Sequence, residues 1–193
     1  MDTVAALVRG GVLLLATDTL PGFHCRSDIS EAVIRVAEIK GRDEGKPLLV
    51  LAGSLEQAQS ICGDLNPWQL EVCKACWPGP FSLILPAGHL LADRVSAGTS
   101  TVAIRVPANS ELRGLILAVG VPLVSTSVNK QGEPPVVAMK DAWSGFAAMV
   151  DGAWIPSEER TEPLAGTVPS ALIDLCGDRP QVLRKGPLDL PGF

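Results

Sequence analysis

The feature that most restricts the fold is a succession of short aliphatic runs, each too short to cross a membrane. They are "VLLLA" from Val12, "PLLVLA" from Pro47, "FSLILP" from Phe81, "TVAIRV" from Thr101, "VPLVSTS" from Val121, "ALIDL" from Ala171 and "QVLR" from Gln181. Each has the length of a strand, and the more continuous ones suit strands covered on both faces. Helix signals separate them. Residues 2–9 read as a short helix broken by Gly10 and Gly11. Asp28 with Glu31 reads as a capping box opening a helix to Lys40, with Val33, Val36 and Ala37 on one face. Ser54 with Gln57 and Asn66 with Pro67 open two more helices, and Ser110 caps "ELRGLILAVG", closed by Gly120. A helix near 141–149 and a short strand near "GAWI" are also expected. Interleaved strands and helices predict an α/β fold: a twisted, largely parallel mixed sheet with helices on both faces. The hairpin-like pairs near 81–106 and 171–184 add some antiparallel strands. The 193 residues suit a single domain over 1–193.

Composition narrows the function. A formal net charge of -5 argues against broad, nonspecific binding of nucleic acid, which needs a basic footprint. Aromatic residues are only 4%, so no stacking platform for single strands is evident. No targeting segment and no membrane span is visible, and five cysteines, an odd number, fit a reducing compartment. A cytoplasmic protein is expected.

Against that acidic background, Lys40, Arg42 and Lys46 cluster in "EIKGRDEGKPLLVL". "GRDEGKP" is not a Walker A loop: the spacing is one residue short, proline replaces the magnesium-binding hydroxyl, and the loop follows a helix. "CKAC" (Cys73 to Cys76) has metal-ligand spacing but lacks a second pair, so a buried helix face is the simpler reading. His24 and His89 lie in no nucleophile motif. What remains is a set of polar residues at strand ends. Thr17 and Thr19 follow "VLLLA"; Lys40 and Arg42 precede "PLLVL"; Thr101 and Arg105 share a face of "TVAIRV". Ser125, Ser127 and Asn129 leave "VPLVSTS", Ser170 precedes "ALIDL", and Arg184 ends "QVLR". Ligands of open α/β sheets bind beyond strand ends, and several cations with hydroxyls suit a polyphosphate.

These residues carry a resemblance. "ATDTLPGF", "IKGRDEGKPLLVL", "WPGPFSLIL", "TVAIRVP", "PLVSTSVNKQG", "PSALID" and "VLRKG" stand in the order and spacing of the threonylcarbamoyl-AMP synthase (YrdC-like) family, from about residue 5 to 186. The chain looks like the short form without a further C-terminal domain.

The resemblance implies a YrdC-like sheet with a concave basic cavity. It implies synthesis of L-threonylcarbamoyl-adenylate from L-threonine, bicarbonate and ATP with release of pyrophosphate. A separate transferase would then modify the tRNA adenosine beside the anticodon. Thr19, Arg105, Ser127 and Ser170 would hold threonine; Arg42, Lys46, Thr101, Asn129 and Arg184 would hold ATP. Lys40 would face the phosphates, and Lys40, Arg42 and Ser127 would carry the chemistry. Mg2+ would arrive on the nucleotide, with no fixed protein metal site. Pro21, Lys46, Leu51, Val128, Val137 and Ala171 depart from the family pattern and leave the strictness of threonine selectivity open. The alternatives are a noncatalytic RNA-binding relative and a carbamoyl-adenylate enzyme with another amine substrate. Gly132–Pro135 and Ser157–Gly166 are candidate lids by composition.

Overall fold

The computed structural model describes residues 2–41, 47–88, 91, 93–156 and 168–192, with the side chains of 93 and 94 outside that description. Helix α1 (Thr3–Val8) is capped by the Asp2 side chain, and β1 (Leu13–Leu15) follows. Next come β2 (Gly22–Arg26), α2 (Ser30–Lys40), β3 (Leu49–Leu51) and α3 (Leu55–Gln59). Then α4 (Pro67–Cys76), β4 (Phe81–Pro86), α5 (Asp93–Ser96), β5 (Thr101–Arg105) and α6 (Ser110–Val119) follow. The chain continues through β6 (Leu123–Ser127), α7 (Met139–Phe146), β7 (Gly152–Trp154), β8 (Ala171–Asp174) and β9 (Gln181–Arg184).

Helix starts follow local chemistry, with two corrections. Ser54 accepts from Gln57 N–H and Asn66 caps α4 ahead of Pro67, as the sequence predicts; Gln69 completes a reciprocal capping box with Asn66 that the sequence reading does not include. Asp28 caps nothing: α2 starts behind Ile29, because both Asp28 oxygens are taken by Arg26 at 2.9 and 2.7 Å. The cap of α6 is Asn109, whose side chain accepts from Leu112 N–H, and not Ser110.

The strands form one sheet in the order β7-β1-β2-β6-β3-β5-β4-β8-β9. It is mixed, as expected, but not largely parallel. Only β1–β7, β3–β5 and β4–β8 run parallel; the other five adjacent pairs are antiparallel. Three causes act together. A short reversal makes β1 and β2 antiparallel neighbours, the connection that holds α5 returns β5 antiparallel to β4, and β6 inserts between β2 and β3 against both.

Alternation assigns the strands' side chains to two faces. On one face Leu14, Phe23, Val50, Val102, Leu83 and Ile173 join a core covered by α2, α4 and α7. On the other, Leu13, Leu15, Leu51 and Leu123 pack beneath Ala6 and Leu7 of α1 and Leu112, Leu115 and Ile116 of α6. That second cluster contains nothing from β5, β4, β8 or β9 among the described residues. Half of one face is therefore outside both apolar clusters, and polar groups stand on it beside Ala103, Ile84 and Leu172. No described helix is long and apolar enough to cross a membrane.

Candidate active site

Register puts the polar groups on that second face. His24 pairs with Ser125 and Gly22 with Ser127, Leu51 pairs with Arg105, and Leu172 with Arg184. Ser82 and Thr101 share the same face by alternation along β4 and β5. Burial follows the same rule: Val102 and Ile104 are sealed, whereas Thr101, Ala103 and Leu172 keep partial exposure.

Arg105 is the centre of the arrangement. It is only 2% exposed. Its Nη1 donates to Thr19 Oγ1 at 2.7 Å and its Nη2 to Thr17 Oγ1 at 3.3 Å. Nη2 also lies 3.3 Å from Asp18 Oδ1, while the other Asp18 oxygen accepts from Ala108 N–H at 2.9 Å. Burial lowers the Arg105 pKa from the ordinary arginine value, and the charge of Asp18 opposes that shift. Arg105 Nε and Asp18 Oδ1 are the two buried side-chain polar atoms with no hydrogen-bond partner among the described residues. Asp18 Oδ1 has its charge met by Arg105 Nη2, whereas an unpartnered buried N–H such as Arg105 Nε costs about 1–3 kcal/mol and is a candidate ligand contact.

A second group joins α2 to the end of β6. Lys40 Nζ donates to Ser127 O at 2.8 Å, Ser127 Oγ at 3.2 Å and Asn129 Oδ1 at 2.6 Å. Ser127 Oγ donates to Asn129 Oδ1 at 2.8 Å. The Asn129 amide donates to the carbonyls of Lys130 and Glu133, so the turn at Gly132–Pro135 is tied to the same group. A third group lies toward β9: Ser82 and Ser170 hydroxyls are 2.8 Å apart, and Arg184 Nε donates to the Ser170 carbonyl at 3.1 Å. Partial burial lowers the Arg184 pKa, and the positive charge of Arg105 lowers it further. Arg105 also contributes to the depressed pKa of His24, after burial. Its field thus reaches both a β9 and a β2 residue.

The structure therefore brings Thr19, Lys40, Thr101, Arg105, Ser127, Asn129, Ser170 and Arg184 to one face or its margin. Arg42 and Lys46 lie outside the described residues, as do His89 and the segment 157–166. Thr17, named with Thr19 among the strand-end polar residues, belongs to this surface, as do Asp18, Ser82 and His24, which the sequence reading does not place in the site. The signals available were the uninterrupted polar triplet Thr17–Thr19 and a serine inside the apolar run "FSLILP". Of the departures, Pro21, Leu51, Val128 and Ala171 are buried, whereas Val137 is exposed. Leu51 packs under α6 as part of the apolar core.

Burial pushes Cys73 up to about 12 and Cys76 to about 11, so both thiols stay protonated and behave as small hydrophobes. Among the described residues no group of three His, Cys, Asp or Glu could hold a metal ion.

The family model Sua5/YciO/YrdC, described as telomere recombination, matches residues 5–186. The chain belongs to the Sua5/YciO/YrdC family. It is 34% identical over 174 residues to threonylcarbamoyl-AMP synthase of Thiobacillus denitrificans, covering 89% of this chain and 88% of that one. It is 33% identical over 155 residues to the synthase of Chromohalobacter salexigens, covering 79% and 84%. Among solved structures of the family, P. abyssi Sua5 complexed with L-threonine superposes with TM-score 0.86 at 27% identity, over 95% of this chain. The chain spans about half of that Sua5, 52% of its length. E. coli YciO shares the fold, with TM-score 0.85 at 23% identity over 98% of this chain and 90% of YciO.

Proposed function

We propose that this chain, working as a single domain over residues 1–193 in the cytoplasm, is a threonylcarbamoyl-AMP synthase. Support comes from the family membership, from synthases more than 30% identical over most of both chains, and from a threonine-bound structural relative. The observation that carries the reading on this chain's own residues is the buried Arg105 with an unpartnered Nε–H beside two threonine hydroxyls. A guanidinium edge meets a carboxylate with matched geometry, which suits the α-carboxylate of an amino acid.

The chemistry has two steps. The neutral amine of L-threonine attacks bicarbonate, forming an N–C bond and releasing water. A carbamate oxygen then attacks the α-phosphorus of ATP in line, forming an O–P bond as the bond to pyrophosphate breaks. Neither step demands a dedicated histidine base; placement of two anions and neutralisation of their charge dominate. Arg105, Thr19, Ser127 and Ser170 hold threonine. ATP is assigned to Arg184, Thr101 and Asn129, and by the family resemblance to Arg42 and Lys46 as well. Lys40, 7% exposed and saturated by Ser127 and Asn129, fixes the end of β6 and sets a positive potential there. Mg2+ enters on the phosphate oxygens of ATP as part of the substrate. A separate transferase carries the product to tRNA.

The test is pyrophosphate release with each substrate withheld in turn. Release that needs L-threonine, bicarbonate and ATP together is the expected result. Equal release without threonine would overturn the proposal, and a panel of amines decides the selectivity left open by Leu51, Val128 and Ala171.

A further inference from the structure

The loop after β6 does more than carry Asn129: it finishes α2. The last four carbonyls of an α-helix have no partner within the helix. In α2 the Gly41 N–H takes two of them, those of Ala37 and Glu38. The other two are met from outside. Lys130 Nζ donates to the Ile39 carbonyl at 2.7 Å, and the Gln131 N–H donates to the Lys40 carbonyl at 2.9 Å. Lys130 is half-buried, and a cation suits this end of a helix, where the partial charge is negative. Lys40 reaches the opposite way, from α2 to Ser127 and Asn129. Helix end and loop thus grip each other, with one lysine from either side.

The loop is closed on itself as well. Glu133 N–H donates to the Lys130 carbonyl at 3.1 Å, and Val136 N–H to the Val128 carbonyl at 2.8 Å. The Asn129 amide donates to the carbonyls of Lys130 and Glu133 at 2.9 and 2.8 Å. A turn bonded this way passes a displacement at Lys130 on to Asn129. The rest of α2 meets the sheet through Ala32, Val33 and Val36 of the apolar core. Apolar burial is non-directional and leaves a helix free to slide along its axis, whereas hydrogen bonds fix both length and direction. The position of Lys40 relative to Asn129 is therefore set by the clasp at the helix end.

We infer that Lys130 is a positioning residue for the nucleotide: seated on the last turn of α2, its ammonium keeps Lys40 and Asn129 at the separation at which both serve the ATP phosphates. The inference rests on the ATP reading of the site given above, and Lys130 acts through those two residues.

The experiment combines pyrophosphate release by the full chain, at varied ATP and varied threonine, with calorimetric titration of ATP in the presence of Mg2+. Lys130→Met keeps the stem and loses the donor, Lys130→Arg keeps donor and charge, and Lys140→Met removes an exposed lysine of α7 as the control for net charge. Lys130→Met should weaken ATP by about tenfold in both KM and Kd, the scale expected when a remote change misplaces a binding group, with the threonine KM unchanged. Lys130→Arg should recover most of that loss, and Lys140→Met should match wild type. A lowered Tm with unchanged ATP affinity in Lys130→Met would overturn the inference, since it would leave a helix cap and nothing more. Equal losses for ATP and threonine, or an equal ATP loss in Lys140→Met, would also overturn it. If Lys130→Met does not fold, Lys130→Gln, neutral and one atom shorter, takes its place with the same expectations. Wild type that binds ATP but releases pyrophosphate without needing threonine would remove the synthase reading and leave the calorimetric comparison to decide this one; no ATP binding at all would remove both.

Discussion

One face of the sheet is finished in two different ways. Over β1, β3 and β6, α1 and α6 seal Leu13, Leu15, Leu51 and Leu123 into an apolar layer. Over β5, β4, β8 and β9, the equivalent positions carry Thr101, Arg105, Ser82 and Arg184. On one pleat, the half under α1 and α6 is packed with leucines, while the other half mixes these polar and cationic groups with Ala103, Ile84 and Leu172. Stability and binding are thus assigned to adjacent halves of one surface.

The largest expected effect comes from removing the one group that belongs to both. Arg105→Ala leaves the Asp18 carboxylate buried and uncompensated, costing about 3–5 kcal/mol of stability. In the folded fraction it should raise the threonine requirement by about a hundredfold, from loss of charge-assisted bonds, with the ATP requirement nearly unchanged. Steady-state pyrophosphate assays at varied threonine and ATP check this; equal losses for both substrates would erase the division proposed for the open half. Leu112→Ala, under the covered half, should cost about 2–5 kcal/mol in urea denaturation and leave both KM values alone. A shifted threonine KM in that variant would show that the halves are not separate.

A third measurement sharpens the border between them. His24 is held near pKa 3, below its ordinary 6.5. The unfolded chain therefore binds more protons between those values, and stability present above pH 6.5 is lost as pH falls toward 3, by about 1.4 kcal/mol per pH unit at most. Thermal melts should show wild type losing more than His24→Phe over that window; parallel curves would contradict the buried neutral ring. Arg184→Ala should have the smallest effect on stability, within about 0.5 kcal/mol because its strand is exposed, while weakening ATP binding severalfold.

Much of this was legible in the sequence because it is local. Aliphatic runs and the caps at Ser54 and Asn66 report on their own neighbourhoods, and the elements formed where they pointed. β2 was not legible: Gly22, Phe23, His24, Cys25 and Arg26 follow a Pro-Gly turn signal and gain strand identity only by lying between β1 and β6. The Asp28 box failed for a similar reason, since Arg26 competes for that carboxylate and no spacing rule registers it. Strand direction was misjudged because helix-strand alternation does not say which strand slips between which. The partners of the site residues were visible as residue types, yet Lys40 meeting Ser127, or Arg105 meeting Thr19, is set by topology across more than eighty positions.

The place of β6 also governs the order in which the chain can become whole. β2 and β3 share no ladder with one another; each is paired on one side to the strand at 123–127, which leaves the ribosome long after both. Until it arrives, two apolar fragments wait with open hydrogen-bonding edges, the condition under which nascent sheets stick to each other. The strand that carries Ser125 and Ser127 is the keystone, and a piece of this protein ending before it leaves one edge of β2 and one edge of β3 without their partner.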